Sequence, residues 1–264
     1  MTRIATAIAL GVAVVAAVWW LPAAYFNLLI LAVASLGLLE LAGIFLPDRV
    51  ERGASVVAGV AVSAALLFGD GFNFALLVLP AAFFALSLVF MRRTPELPGV
   101  AERLGIASLG ILYVGVSFSF WGPLRELSFG MELVLLALAP ACLCDTFAYV
   151  AGKTMGRHKF APRVSPNKTM EGFFGALAGS LAGVFLVRWL LLPHITWQFA
   201  AAFAVLIWIV SPFGDLVESM LKRSAGVKDS GNLIPGHGGV LDRLDALIFT
   251  GPAAYIFARY VFGA

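Results

Sequence analysis

The sequence predicts an all-α, polytopic integral membrane protein: a helical bundle of about nine transmembrane helices with a cytoplasmic N-terminus. Of its 264 residues, 61% are hydrophobic and 12% are charged, whereas a soluble domain has about 45–50% apolar and about 25% charged residues. Long apolar runs follow one another along the chain, and Lys and Arg are unevenly distributed between them. This composition excludes a soluble enzyme, a disordered chain and a disulfide-stapled secreted fold.

Nine apolar runs approach the roughly 20 residues that a membrane-spanning helix requires. Proline and glycine separate them, as at Pro22, Pro47 and Gly69. The predicted spans are Ile4–Leu21, Tyr25–Leu46, Ala54–Phe68, Phe72–Phe90, Ile106–Trp121, Met131–Val150, Gly172–Leu192, Phe199–Phe213 and Ala246–Phe262. We expect an N-terminal region of about five spans over residues 1–130 and a C-terminal catalytic region over residues 131–264.

The distribution of positive charge predicts the orientation. With nine spans, all 18 Lys and Arg except Arg125, Arg188 and Arg259 fall on the side of the N-terminus. Because cytoplasmic loops carry the excess of Lys and Arg, this side is predicted to be cytoplasmic. The net charge of +3 therefore reflects topology, and no nucleic-acid partner is predicted.

Two windows on that side, residues 145–171 and 215–245, hold nearly half of the charged residues. If these windows were only solvated cytoplasmic loops, their basic residues would be explained, but the acidic residues among them would not. In the second window, Asp215, Glu218, Ser219 and Lys222 recur at helical spacing and share one face. A carboxylate near hydrocarbon costs several kcal/mol unless it is paired or binds a cation. Asp215 therefore requires a metal ion or a basic group from another span.

The second window ends in a glycine-rich segment followed by acids. Glycines allow a backbone to approach phosphate closely, which gives Gly238 and Gly239 a predicted role as donors. Asp215 and Asp242 together would form a two-carboxylate site that suits Mg²⁺, or another divalent cation such as Ca²⁺ or Mn²⁺. Asp245, three residues after Asp242, can face the same site. His237 is either a general base or a hydrogen-bonding brace.

The first window contains Asp145 and the segment from Ser165 to Glu171. This segment is predicted to be a turn that caps the following helix, with Lys168 able to face an anion at the helix N-terminus. Glu40, an acid within the second span, either contributes to a polar interior or pairs with a residue such as Arg103.

The second window carries a long motif. Ser219-Met-Leu-Lys-Arg, then four residues, then Lys228-Asp-Ser-Gly-Asn-Leu-Ile-Pro-Gly-His-Gly-Gly-Val-Leu-Asp-Arg-Leu-Asp closely resembles the signature of the phosphatidate cytidylyltransferases, or CDP-diacylglycerol synthases. Asp145-Thr-Phe-Ala-Tyr and Ser165-Pro-Asn-Lys-Thr-Met-Glu-Gly resemble the same family's upstream motif. The resemblance is detailed in the C-terminal half and extends only to hydropathy in the first five spans.

The resemblance implies transfer of CMP from CTP to phosphatidic acid, giving CDP-diacylglycerol and pyrophosphate with a divalent metal. It implies CTP, phosphatidic acid and the lipid bilayer as partners, at the cytoplasmic face of a bacterial inner (plasma) membrane. The expected catalytic residues are Lys168, Asp215, Lys222, Arg223, Lys228, Asp229, His237, Asp242, Arg243 and Asp245. The expected substrate and phosphate ligands are Asp145, Ser165, Lys168, Thr169, Ser219, Lys222, Arg223, Gly238 and Gly239. Asp215 and Asp242 are the expected metal ligands.

Three alternatives remain open at this stage. A CTP-dependent transferase or kinase could act on another lipid, such as an isoprenoid or ether lipid. An ion-coupled transporter would use Asp145, Asp215 and Glu40, but it predicts a substrate path open to both faces, whereas the polar residues cluster on one side. A non-catalytic scaffold would not require the acidic residues that flank His237, Gly238 and Gly239. Gly175, Gly179 and Gly183 predict a close-packing face, against another helix of the chain or between copies in a homodimer.

Overall fold

The computed structural model describes residues 2–70, 72–93, 97–233 and 238–263. Within these ranges it describes every side chain except those of residues 2–10 and 262. The described chain is mainly helical, which confirms the predicted all-α class, while the nine spans and the cytoplasmic N-terminus stay predictions. The α-helices are α1 (Thr2–Trp20), α2 (Ala23–Phe45), α3 (Arg49–Phe68), α4 (Phe72–Arg93), α5 (Val100–Gly110), α6 (Ser117–Ser119), α7 (Trp121–Glu126), α8 (Gly130–Met155), α9 (Met170–Leu191), α10 (Trp197–Ser224) and α11 (Leu241–Phe257). Two π-helical segments, Ile111–Val116 and Ala258–Phe262, continue α5 and α11.

Seven helical segments of the described chain are long and apolar enough to cross a membrane. They are Ala23–Phe45, Arg49–Phe68, Phe72–Arg93, Val100–Glu126, Gly130–Met155, Met170–Leu191 and Trp197–Ser224. The segment Val100–Glu126 includes α5, a π-helical segment, α6 and α7, so the short fifth predicted run is extended by its flanks. The tenth helix likewise continues past the Phe213 end of its predicted span to Ser224, through Pro212.

The segment before α9 differs from its prediction. A two-stranded antiparallel sheet forms from β1 (Lys159–Ala161) and β2 (Ser165–Thr169), so Ser165–Thr169 is a strand and not a turn. Pairing with β1 satisfies backbone groups that a turn would leave to solvent. The predicted cap is nevertheless present, because the Thr169 hydroxyl accepts a hydrogen bond from the Gly172 N–H at 3.1 Å.

The main core lies between α2, α8, α9, α10 and α11, with buried residues such as Leu41, Val134, Val184, Ile207 and Ile248. A second cluster joins α2, α3, α4 and the α5 region. Burial of these side chains against one another leaves a broad apolar exterior on the spanning helices. The core fixes α10 and α11 side by side, which determines where their charged ends meet.

The glycines of α9 pack against α8 of the same chain. A Cβ at Gly183 would lie 2.6 Å from the Pro140 Cα, and one at Gly175 would lie 3.0 Å from the Phe147 carbonyl oxygen. Since this close-packing face is covered within the chain, the first of the two sequence alternatives holds. The three glycines of α9 therefore give no support to a homodimer.

Candidate active site

The two charged windows meet through an ion pair between Lys168 and Asp215. The Lys168 ammonium, at the end of β2, lies 2.7 Å from Asp215 Oδ2 and donates to the Pro212 carbonyl oxygen at 3.2 Å. Both side chains are about one-quarter exposed. The basic partner that the sequence required for Asp215 therefore comes from another segment, and Ser219 Oγ adds a hydrogen bond to Asp215 Oδ1 at 3.2 Å.

Three carboxylates from α10 and α11 converge beside this pair. Asp215, Glu218 and Asp245 each offer an oxygen, and these oxygens lie within 4.8 Å of one another. Glu218 is fully buried, and its Oε1 has no hydrogen-bond partner among the described residues. A buried carboxylate oxygen without a donor is costly. Hard oxygen donors at this spacing are the ligands that Mg²⁺ prefers, so these residues suit a divalent cation.

Lys222 links Glu218 to Asp242. Its ammonium lies 2.6 Å from Glu218 Oε2 and 2.6 Å from Asp242 Oδ1. The Asp242 carboxylate also accepts hydrogen bonds from the N–H groups of Ser230, at 3.1 Å, and Gly239, at 2.9 Å. Burial acts to raise the pKa of Asp242, but these hydrogen bonds outweigh it and lower the pKa to about 2.

These contacts bear on two of the expected roles, which remain predictions. Lys222 and backbone donors contact the oxygens of Asp242, the expected metal ligand, while Glu218 and Asp245 lie beside Asp215. The N–H of Gly239, an expected phosphate donor, donates to Asp242. Gly238 has a φ of +82°, and a Cβ there would lie 2.8 Å from Asp242 Oδ2, so its lack of a side chain serves the same contact.

A cavity of about 450 Å³ opens beside Asp215, between α8, α9 and the strand β2. Asp145, Asn167, Lys168 and Asp215 supply charged and polar lining groups. Lys153 and Thr169 add further polar groups, and apolar and aromatic side chains such as Tyr149, Phe160 and Phe173 also line the cavity. The cavity and the three-carboxylate group share Asp215, so a ligand in the cavity can contact a cation held by that group.

The remaining expected site residues lie in β2, at the start of α9, at the end of α10 and on either side of the start of α11. Ser165 begins β2, and Thr169 caps α9. The Arg223 guanidinium donates to the Val227 carbonyl oxygen at 3.1 Å and is exposed. Exposed positions are also occupied by Lys228, Asp229 and Arg243. His237 lies outside the described residues, so its two predicted roles remain open.

Two acids were not among the site residues expected from the sequence. The position of Glu218, three residues after Asp215, already placed it on the same helical face, which was a usable signal. Glu40 does not pair with Arg103, whose Nε lies 3.0 Å from Glu51 Oε2. Glu40 instead contacts the loop before α11, a contact that no local pattern indicates.

Comparison with known proteins shows the family of the chain. The model of the cytidylyltransferase family matches residues 1–261. This chain belongs to the cytidylyltransferase family. The membership that the two motifs predicted is therefore confirmed, and the match extends over the N-terminal spans, where the sequence showed likeness only in hydropathy.

Curated relatives of the family are similar over much of the chain. The phosphatidate cytidylyltransferase of Thermotoga maritima is 37% identical over 186 residues, 68% of this chain and 68% of the relative. Phosphatidate cytidylyltransferase 4, chloroplastic, of Arabidopsis thaliana is 37% identical over 239 residues, 81% of this chain and 59% of the relative. The Bacillus subtilis phosphatidate cytidylyltransferase is 39% identical over 158 residues, 58% of each chain. The matched part thus spans 58% to 68% of these relatives.

Proposed function

We propose that this chain transfers CMP from CTP to phosphatidic acid, forming CDP-diacylglycerol and pyrophosphate. The observation that carries the proposal is the convergence of three carboxylates and two lysines beside a cavity, at the ends of apolar helices. A water-soluble triphosphate and a lipid phosphate can meet at such a boundary. Membership of the cytidylyltransferase family and the names of the similar relatives support the same reaction.

In this proposal, Asp215, Glu218 and Asp245 hold a divalent cation, with Mg²⁺ the best fit to their oxygen ligands. Asp242 orients Lys222 and the loop before α11 in place of binding the metal directly. When bound, the cation neutralises charge on the substrate phosphates. The unpartnered Glu218 oxygen is the feature of the chain that favours a ligand there.

The reaction requires positioning and charge neutralisation by the protein. A phosphate oxygen of the lipid forms a bond to the α-phosphorus of CTP, and the bond from that phosphorus to the bridging oxygen of pyrophosphate breaks. No covalent enzyme intermediate is needed. Lys168 faces the cavity and can bind phosphate oxygens, while Lys222 holds Glu218 and Asp242 in place.

The location follows from the same chemistry. The apolar exterior places the chain in a bilayer, and the charged cavity would lie at its cytoplasmic surface, where CTP is present. We propose the bacterial inner membrane as that bilayer. Aromatic groups of the cavity, including Tyr149 and Phe160, can contact the apolar part of a lipid substrate or the cytosine ring.

One assay tests the function. Purified protein in detergent is given labelled CTP, Mg²⁺ and, in separate reactions, phosphatidic acid, an isoprenoid phosphate or an archaeal ether-lipid phosphate. The proposal expects lipid-linked CMP and released pyrophosphate with phosphatidic acid. Product only with another lipid phosphate would assign a different substrate, and phosphorylated lipid without CMP would indicate a kinase.

A further inference from the structure

Glu40 connects the N-terminal half of the chain to the loop that precedes α11. The residue lies in α2 and is 7% exposed. Its Oε2 accepts hydrogen bonds from Ser230 Oγ at 2.9 Å and from the Leu241 N–H at 2.8 Å. Its Oε1 accepts a hydrogen bond from the Val240 N–H at 2.9 Å. One side chain therefore contacts Ser230 and also the two residues at the start of α11, Val240 and Leu241.

The contact supplies a cap that α11 lacks in its own sequence. The residue before the helix is Val240, which has no side chain able to accept a hydrogen bond. The first N–H groups of a helix have no acceptor within the helix, and a negative charge beside them is stabilising. Glu40 provides both the acceptor and the charge. Asp242, in the first turn, is then available to accept from Ser230, Gly239 and Lys222.

Two glycines make room for this carboxylate. A Cβ at Gly231 would lie 2.7 Å from Glu40 Oε1, and a Cβ at Gly239 would lie 2.5 Å from Glu40 Oε2. Both distances are shorter than real side chains allow. The glycines at these two positions therefore permit the loop to close on Glu40, which gives them a role other than phosphate binding.

We propose that Glu40 is a positioning residue that fixes Ser230, Val240 and Leu241, and with them the first turn of α11. It thereby places Asp242 and Asp245 against Lys222 and Glu218 of α10. The second helix, α2, thereby contributes to the geometry of the active site. The expected effect of Glu40 on the kinetic constants rests on the proposed function. Glu40 does not contact the cavity, so its loss should weaken substrate and metal binding through displacement of α11.

Hydrogen–deuterium exchange measures the contact without any need for activity. Wild type is compared with Glu40→Gln, which keeps the size of the side chain but removes its charge, and with Glu40→Asp, which keeps the charge on a shorter side chain. Glu51→Gln is the matched control, because Glu51 is also a buried carboxylate of the N-terminal half but pairs with Arg103. Exchange is followed in peptides covering residues 238–247 and, for reference, residues of α8 and α9.

The proposal expects Glu40→Gln to raise exchange in residues 238–247 about tenfold, as loss of a hydrogen bond to a charged group implies, with α8 and α9 unchanged. Glu40→Asp should retain more protection than Glu40→Gln, and Glu51→Gln should leave this segment at the wild-type rate. The proposal is overturned if Glu40→Gln exchanges there as wild type does. Equal acceleration throughout the chain, as in a protein that is merely less stable, would also overturn it.

Kinetics then separate this inference from the proposed function. Glu40→Gln should raise the KM for CTP and the Mg²⁺ concentration for half-maximal rate about tenfold, with a smaller effect on kcat. Glu51→Gln should change neither constant. If wild type forms no lipid-linked CMP while the exchange results hold, the proposed function fails and the loop contact stands. Unchanged constants in Glu40→Gln would overturn the positioning role.

Discussion

The ammonium of Lys168 lies 2.7 Å from the carboxylate of Asp215, although 46 positions separate them in the numbering of the chain. The pair joins the end of β2 to the part of α10 just after Pro212, and both side chains line the same cavity. The two motifs that were recognised separately in the sequence therefore form one site.

Replacement of Asp215 by Asn should reduce CDP-diacylglycerol formation at least about 100-fold while leaving the protein folded. The amide keeps the shape of the carboxylate but removes the charge that Lys168 and a cation require. Initial rates with labelled CTP measure the effect, and Asp70→Asn at an exposed position is the matched control. Near-normal turnover in Asp215→Asn would refute its assignment to the metal site.

Replacement of Glu218 by Gln should raise the Mg²⁺ concentration for half-maximal rate at least about tenfold. Glu218 is buried, one of its oxygens lies within 4.8 Å of oxygens of Asp215 and Asp245, and its Oε1 has no hydrogen-bond partner among the described residues. A titration of activity against Mg²⁺ at saturating CTP measures the change, with Glu102→Gln on the exposed face of α5 as control. An unaltered Mg²⁺ requirement would mean that Glu218 serves only as the partner of Lys222.

Replacement of Lys222 by Met should lower the free energy of unfolding by about 3–5 kcal/mol, because it leaves Glu218 and Asp242 as buried acids without their cation. The double variant Lys222→Met, Glu218→Gln should recover part of this loss, since one uncompensated charge is removed. Thermal unfolding in detergent measures both, and Lys159→Met, at an exposed position of β1, is the control. Equal stability of Lys222→Met and Lys159→Met would contradict the prediction.

Replacement of Gly183 by Val should destabilise the protein by about 1–3 kcal/mol, because the new side chain would meet Pro140 of α8. The neighbouring substitution Ala182→Val, on an exposed face of α9, should have little effect. Thermal unfolding of the two variants distinguishes a packed face from one that faces lipid. Wild-type stability of Gly183→Val would show that the face is not packed within the chain.

The fold class and the meeting of the two charged windows were predictable, because both depend on residue type and spacing. Apolar runs of spanning length predict helices whatever their neighbours are. The unfavourable energy of an isolated Asp215 near hydrocarbon predicts that a partner must exist. Membership of the family followed from motifs that are continuous in the sequence.

The choice among neighbouring acids was not predictable. Asp242 and Asp245 are three residues apart at the start of α11, and either can face α10 by helical spacing alone. The contacts of the two acids differ in the structure. The Lys222 ammonium pairs with Asp242, whereas Asp245 lies beside Asp215. The strand β2 and the contact of Glu40 with the loop before α11 likewise depend on pairing between separate segments, which local patterns do not specify.

Anomalous diffraction from crystals grown with Mn²⁺ tests the central claim most directly, because it locates the cation without reference to activity. The account predicts one peak in contact with oxygens of Asp215, Glu218 and Asp245, and loss of that peak in Asp245→Asn. A peak that contacts Asp242 and none of these three carboxylates would contradict it.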